Sequence, residues 1–158
     1  MDYMIRKMES FEYPLLADFL YDAIFQREGE DPPPKSIINE PSLKIYIEDF
    51  GEKEDDHCLC AEADKKIIGA VWVRTIGGYG SVDENTPEFA ISIVKECRGY
   101  GIGTGLMKAM LEYLKNAGYK KSSLAVQKDN YAFKMYLAVG FQIIDENSEE
   151  YIMVHYLD

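Results

Sequence analysis

Cys97-Arg98-Gly99-Tyr100-Gly101-Ile102-Gly103-Thr104-Gly105-Leu106 sets four glycines within seven positions, behind a β-like stretch and ahead of an amphipathic one. Glycine tolerates the sharp turns and positive φ that bring backbone N–H groups close to an anion, and a helix that follows adds partial positive charge at its N-terminus. The segment therefore reads as a cradle for a pyrophosphate. Two other phosphate loops fail on the same residues. A P-loop ends in Gly-Lys-Ser/Thr, whereas Leu106 and Met107 follow Gly105, so no lysine is set to reach a γ-phosphate. A dinucleotide fingerprint needs glycine at its first, third and sixth positions, but the sixth residue is Thr104 counted from Gly99 and Leu106 counted from Gly101. What remains is Arg-x-x-Gly-x-Gly, formed by Arg98, Gly101 and Gly103.

Upstream of this loop, residues 88–94 alternate Phe89, Ile91 and Ile93 with Ala90, Ser92 and Val94, mostly apolar on both faces, which predicts a central strand. Downstream, residues 104–117 carry Leu106, Met107, Met110, Leu111 and Leu114 at helical spacing and stop at Gly118. Residues 122–126 read as a strand, 130–139 as a helix ending at Gly140, and 141–145 with 150–156 as a terminal strand pair. Toward the N-terminus the pattern predicts a strand at 4–8 and a helix at 13–25 with Pro14 near its first turn. A stiff connector at 26–35 contains Pro32, Pro33 and Pro34, and a short helix at 42–50 follows it. An exposed turn at 51–56 leads into a hairpin at 58–63 and 67–74, and 77–87 is a long polar loop. This order predicts an α/β chain of the mixed, α+β type. Its length is that of one domain, 1–158.

A second motif lies in Leu124-Ala125-Val126-Gln127-Lys128-Asp129-Asn130-Tyr131-Ala132-Phe133-Lys134-Met135-Tyr136 and closes with Val139-Gly140-Phe141. With the Arg98-to-Gly103 loop, it resembles the GNAT superfamily of N-acetyltransferases, whose pattern here is an Asn, then Ala, then a Tyr six residues after the Asn, then Gly-Phe. The element order extends the resemblance over nearly the whole chain, with the N-terminal half much less specific. The resemblance implies a GNAT-like mixed, mostly antiparallel central sheet flanked by about four helices. It also implies an acetyl-CoA-dependent N-acetyltransferase that moves the acetyl group to a primary amine by direct attack in a ternary complex.

By the same resemblance, the backbone at Ile91, Ile93 and Val94 pairs with the pantetheine arm of coenzyme A. The amides of Arg98, Gly99, Gly101, Gly103 and Thr104 take its pyrophosphate, Asn130 lies near the arm, and Tyr136 is the general acid to the departing sulfur. Phe133, Tyr136 and Leu137 share a helical face, so a core role for Tyr136 stays open. A tyrosine near pKa ~10 giving its proton wholly to a thiolate near ~8.5 runs uphill by about 2 kcal/mol, which favours a hydrogen bond over complete transfer.

An amine near pKa ~10 is almost all ammonium at neutral pH and needs a base. Glu88, at the start of the strand that would carry the cofactor, is the candidate and Glu84 the reserve. A solvated loop acid is the competing reading. The acceptor is expected between the first two helices and the 77–87 loop, with Phe25, Arg27, Glu28 and Tyr79 as walls. Acidic walls favour a cationic amine, and both a small-molecule and a peptide amine remain open. The rival function is a non-catalytic acyl-CoA-binding sensor or regulatory module.

Charge and cysteine usage bound the remaining partners. Seventeen basic against twenty-eight acidic residues give a net charge of −11, which argues against nucleic acid and an anionic membrane surface. The segment 95–134 nevertheless carries eight basic and three acidic residues, the local balance a polyanionic cofactor requires. Cys58, Cys60 and Cys97 lack framework spacing, and His57 alternates away from the two neighbouring cysteines, so neither disulfides nor a metal is expected. Cys97 has no histidine nearby in sequence to activate it as an acyl-carrying nucleophile. With Arg6, Lys7 and Glu9 in the first ten residues and no long apolar run, a cytoplasmic chain is expected. A homodimer is left open.

Overall fold

Strands β1 (Met4–Lys7), β2 (His57–Ala63), β3 (Lys66–Arg74), β4 (Glu88–Ile93), β5 (Lys121–Gln127), β6 (Gln142–Glu146) and β7 (Glu150–Tyr156) form one sheet in the order β1-β2-β3-β4-β5-β7-β6. Four α-helices accompany them: α1 (Leu16–Ala23), α2 (Pro41–Lys44), α3 (Ile102–Asn116) and α4 (Ala132–Val139). This computed structural model describes residues 1–157. Every neighbouring pair of strands is antiparallel except β4 and β5, which are parallel. The mixed, mostly antiparallel sheet read from the sequence is what the chain forms.

Alternation in β3 divides the core in two. Val71 and Val73 face α3, whose Leu106, Met107, Met110 and Leu114 are completely buried. Ala70 and Trp72 face α1, where Leu16, Phe19 and Leu20 pack with Tyr46, Cys58 and Cys60. Each large side chain so buried contributes roughly 1.5–3 kcal/mol of transfer free energy, and the five α3 residues picked out by periodicity are all buried. His57 faces the other way from Cys58 and Cys60: its ring lies 3.1 Å from the Tyr119 hydroxyl and 3.2 Å from that of Tyr113.

The feature that positions the site is a defect in pairing. β4 and β5 meet at a single register pair, Glu88 with Ser123, and then part. Beyond that point the facing edges of the two strands are not paired with each other. The sheet is split on one side only, since β4 stays paired with β3 through Ile93 and β5 with β7 through Gln127.

Several boundaries differ from the sequence expectation, each for a local reason. The helix expected at 13–25 is a 3-10 turn over Ser10–Leu15 containing Pro14, followed by α1, which ends when Ile24 becomes extended at ψ 121°. The helix expected at 42–50 is α-helical only in α2. The carbonyl of Ile45 accepts from Arg74 Nη1 at 2.9 Å and that of Tyr46 from Trp72 Nε1 at 3.0 Å, tying the segment to β3, and Asp49 adopts φ 51°. Helix α3 starts at Ile102 rather than Thr104, and α4 at Ala132 rather than Asn130, because the Asn130 side chain accepts the Ala132 N–H at 2.9 Å in the turn before it. β4 ends at Ile93, although Val94 N–H still bonds the Ile68 carbonyl at 2.9 Å. Among the described residues no helix is long and apolar enough to cross a membrane.

Candidate active site

Where β4 and β5 part, a cavity of ≈ 370 Å³ opens. Glu88, Phe89, Ala90 and Ile91 of β4 form one wall, and Leu124 to Gln127 of β5 form the other. Asn130 and Tyr136 close it on the α4 side, while Phe25, Arg27, Tyr46 and Tyr79 come from the N-terminal half and the loop before β4. A larger depression of ≈ 510 Å³ lies over Arg74, but the Arg74 guanidinium is already committed to Asp56 and to the Ile45 carbonyl, which makes it an anchor of the fold.

Glu88 is 2% exposed. Its Oε2 accepts hydrogen bonds from the Tyr46 hydroxyl and from Gly80 N–H, the latter at 3.0 Å, while Oε1 is buried without a partner among the described residues. Burial pushes its pKa above the ordinary carboxylate value, the Tyr46 and Gly80 donors oppose that shift, and the charge of Glu150 adds to it. Glu88 is thus a buried carboxyl at the cavity wall with hydrogen bonds gathered on one of its two oxygens. Glu84, the reserve candidate, is exposed on its loop and does not line the cavity.

Tyr136 is half-buried against Phe141 and the α3-side core, and its hydroxyl has no hydrogen-bond partner among the described residues. Desolvation and then the neighbouring Tyr131 push its pKa up to about 12, so it stays a proton-bearing donor across the physiological range. It packs on the core edge and lines the cavity at once. Asn130 is held by Ala132 N–H and by a 3.4 Å contact from its Nδ2 to Gln127 Oε1.

The glycine loop follows β4 at the open side of the split. Gly99 and Gly101 take φ 87° and 80°, and nothing would obstruct a Cβ on either, so conformation alone calls for glycine there. Gly101 is the N-cap of α3, leaving the first-turn amides of Ile102, Gly103 and Thr104 without intrahelical partners. The Arg98 side chain turns back, its Nε donating to the Ile93 carbonyl at 3.0 Å, which pins the loop to the end of β4. Ile91 lines the cavity, whereas Ile93 and Val94 lie between it and the loop. A pyrophosphate fits this arrangement: exposed amides, two left-handed glycines and a helix N-terminus converge without an acidic side chain among residues 97–105.

A family model described as the acetyltransferase (GNAT) family matches residues 19–141, which include both motifs and every wall of the cavity except Glu149 and Glu150. The chain belongs to the GNAT family. Within it, the chain is 29% identical over 100 residues to a probable N-acetyltransferase, camello, of Xenopus laevis, covering 62% of this chain and 44% of that protein. It is 30% identical over 112 residues to N-alpha-acetyltransferase 30 of Schizosaccharomyces pombe, covering 66% and 69%. The PaiA N-acetyltransferase of Thermoplasma acidophilum, solved in complex with coenzyme A, superposes with a TM-score of 0.73 at 20% identity over 99% of both chains.

Within this GNAT chain the sequence reading brought Glu88, Ile91, Asn130, Tyr136, Phe25, Arg27 and Tyr79 to one cavity, and Glu28 fell outside it. It missed Tyr46 and gave no role to the glycines of the turn Gly77-Gly78-Tyr79-Gly80. A Cβ on Gly80 would stand 2.6 Å from Ala125 N, and one on Gly78 would stand 2.6 Å from the Tyr46 hydroxyl and 2.8 Å from Glu88 Oε1. The turn thus lies inside the opening and bridges β4 to β5. Three glycines in four positions were the available signal. Arg27 also closes a bidentate ion pair with Asp129 across the cavity mouth, at 2.7 and 3.1 Å.

Proposed function

We propose that the chain is an acetyl-CoA-dependent N-acetyltransferase that acts on a primary amine by direct attack within a ternary complex, with residues 1–158 forming one catalytic domain. The observation that carries this reading is the cavity between the parted strands, which the buried Glu88 and Tyr136 line from opposite sides.

Acetyl-CoA supplies the acetyl group as a thioester. The unpaired edge of β4 at Ile91 and Ile93 offers backbone groups to an extended pantetheine arm, Val94 being tied by its N–H to the Ile68 carbonyl on the other side, and Asn130 flanks the arm from the opposite wall. Amides of Gly99, Gly101, Gly103 and Thr104 hold the pyrophosphate, aided by the α3 N-terminus, while the Arg98 amide is already bonded to the Lys95 carbonyl. Glu88 takes one proton from the ammonium form of the acceptor so that the neutral amine attacks the thioester, and the second proton, shed by nitrogen as the C–N bond forms and the C–S bond breaks, passes to the departing thiolate. Tyr136 donates its O–H to the sulfur as the C–S bond breaks, and a hydroxyl with so raised a pKa stabilises that charge by a hydrogen bond rather than by complete transfer. The acceptor enters past Phe25, Arg27 and Tyr79. Glu88, Glu149 and Glu150 line the cavity against one arginine already paired with Asp129, which supports a cationic amine.

Release of the coenzyme thiol, followed across a panel of small amines and peptides, tests the reading. Turnover of at least one amine is expected. Glu88→Gln should lower kcat/KM by about 100-fold or more, and Tyr136→Phe should lower kcat by roughly 10- to 100-fold. Acetyl-CoA binding with no turnover of any amine would assign the chain to the sensor class instead, and undiminished turnover in Tyr136→Phe would remove the acid role.

A further inference from the structure

We infer that Tyr46 is the positioning residue for Glu88: its hydroxyl occupies Oε2 and leaves Oε1 as the oxygen free to take a proton. This rests on Glu88 being the base. Tyr46 is 8% exposed and belongs to the non-helical segment after α2, 42 residues away from Glu88 in sequence. Its main chain is fixed because the Tyr46 carbonyl accepts from Nε1 of the wholly buried Trp72 at 3.0 Å. Its hydroxyl is fixed as well, donating to Glu88 Oε2 and accepting the Tyr79 N–H at 2.9 Å.

Gly80 N–H supplies a second donor to Oε2, so the two oxygens of one carboxylate are unlike: Oε2 carries two formed hydrogen bonds, while Oε1 has only the Gly78 backbone near it and no formed bond. A proton goes to the oxygen whose lone pairs are free, which is Oε1. The closeness of the assembly depends on Gly78, where a Cβ would collide with both Tyr46 and Glu88 Oε1. The other groups around Glu88 cannot replace Tyr46. Arg74 is its cross-strand neighbour on β3 but is bound to Asp56, Glu150 on β7 carries like charge, and Tyr136 on α4 shares the cavity without bonding it. Tyr46 and Gly80 therefore favour the ionised carboxylate against burial and Glu150.

The test is a 13C titration of the glutamate carboxyls in the full chain, which needs no known acceptor, with Glu88→Gln identifying the Glu88 resonance by its loss. In the wild type that resonance should titrate above the usual ~4.3. In Tyr46→Phe its midpoint should rise by about one further pH unit. Replacing Tyr46 by 3,5-difluorotyrosine, a stronger donor of the same shape, should move it the opposite way, which guards against a merely loosened fold in the phenylalanine variant. For any amine that turns over, the acid limb of kcat should move with the carboxyl midpoint while KM for acetyl-CoA stays constant. Identical Glu88 midpoints in the wild type and Tyr46→Phe overturn the inference. Full turnover by Glu88→Gln, with the Tyr46→Phe shift still present, overturns the base reading itself and with it the catalytic part of the inference.

Discussion

A buried carboxylic acid such as Glu88 opposes folding when ionised, and this gives a signature separate from activity. Its folded pKa is raised, chiefly by burial, so its favourable contribution is fully present below the unfolded value of ~4.3 and is lost as pH rises through the folded value. Glu88→Gln is accordingly expected to match the wild type in melting temperature near pH 4 and to exceed it at pH 7 to 8. Thermal melts across that range would show the gap opening with pH, and a gap that stays constant would contradict the assignment. Asp56 is fully partnered: its side chain is completely buried, binds Arg74 at 2.9 and 3.0 Å and also accepts the N–H groups of Gly51 and Lys53. Asp56→Ala strands a buried guanidinium and should cost about 3–5 kcal/mol, measured by denaturant unfolding. Glu88 was legible because it begins an apolar strand that runs into the glycine loop. Tyr46 and the Asp56–Arg74 pair were not, because each is made by contacts between segments with no periodicity or spacing to link them.

At the level of elements, local pattern and tertiary contact divide what the sequence can reveal. α3 was legible from five apolar residues at helical spacing, and Gly99 and Gly101 from their position at its mouth. The conformational demand there is direct: Gly101→Ala places a side chain at φ 80° and should cost about 1–2 kcal/mol. Calorimetric titration with coenzyme A should show weakened binding in the same variant. A variant that loses stability but binds coenzyme A as the wild type does would separate the loop from the ligand. The segment after α2 shows the limit of pattern. Ile45 and Tyr46 sit in a sequence that reads as helical, yet Arg74 and Trp72 capture their carbonyls, and nothing local announces that capture. The turn Gly77-Gly78-Tyr79-Gly80 was read as a polar loop, although the space left by its glycines is what lets it enter the opening.

Across the whole molecule, the parting of β4 from β5 is the structural fact on which the account turns. The order of elements along the chain was legible, but the order of strands in the sheet and the pairing of β4 with β5 at one register position only depend on what lies between the strands, and no single strand encodes them. The charge distribution has the same reach: an acidic chain whose 95–134 segment is basic should bind a polyanion with an affinity that falls as salt rises. Acetyl-CoA at about 100 times its dissociation constant should add ~2.7 kcal/mol, a rise of roughly 5–10 °C in melting temperature for a chain of this length. The most direct measurement is a crystal structure of the protein with coenzyme A. The account predicts the pyrophosphate against the amides of residues 99–104 and the sulfur in the cavity between Glu88 and Tyr136. Phosphates bound at any other surface, or a sulfur outside the opening between β4 and β5, would contradict it.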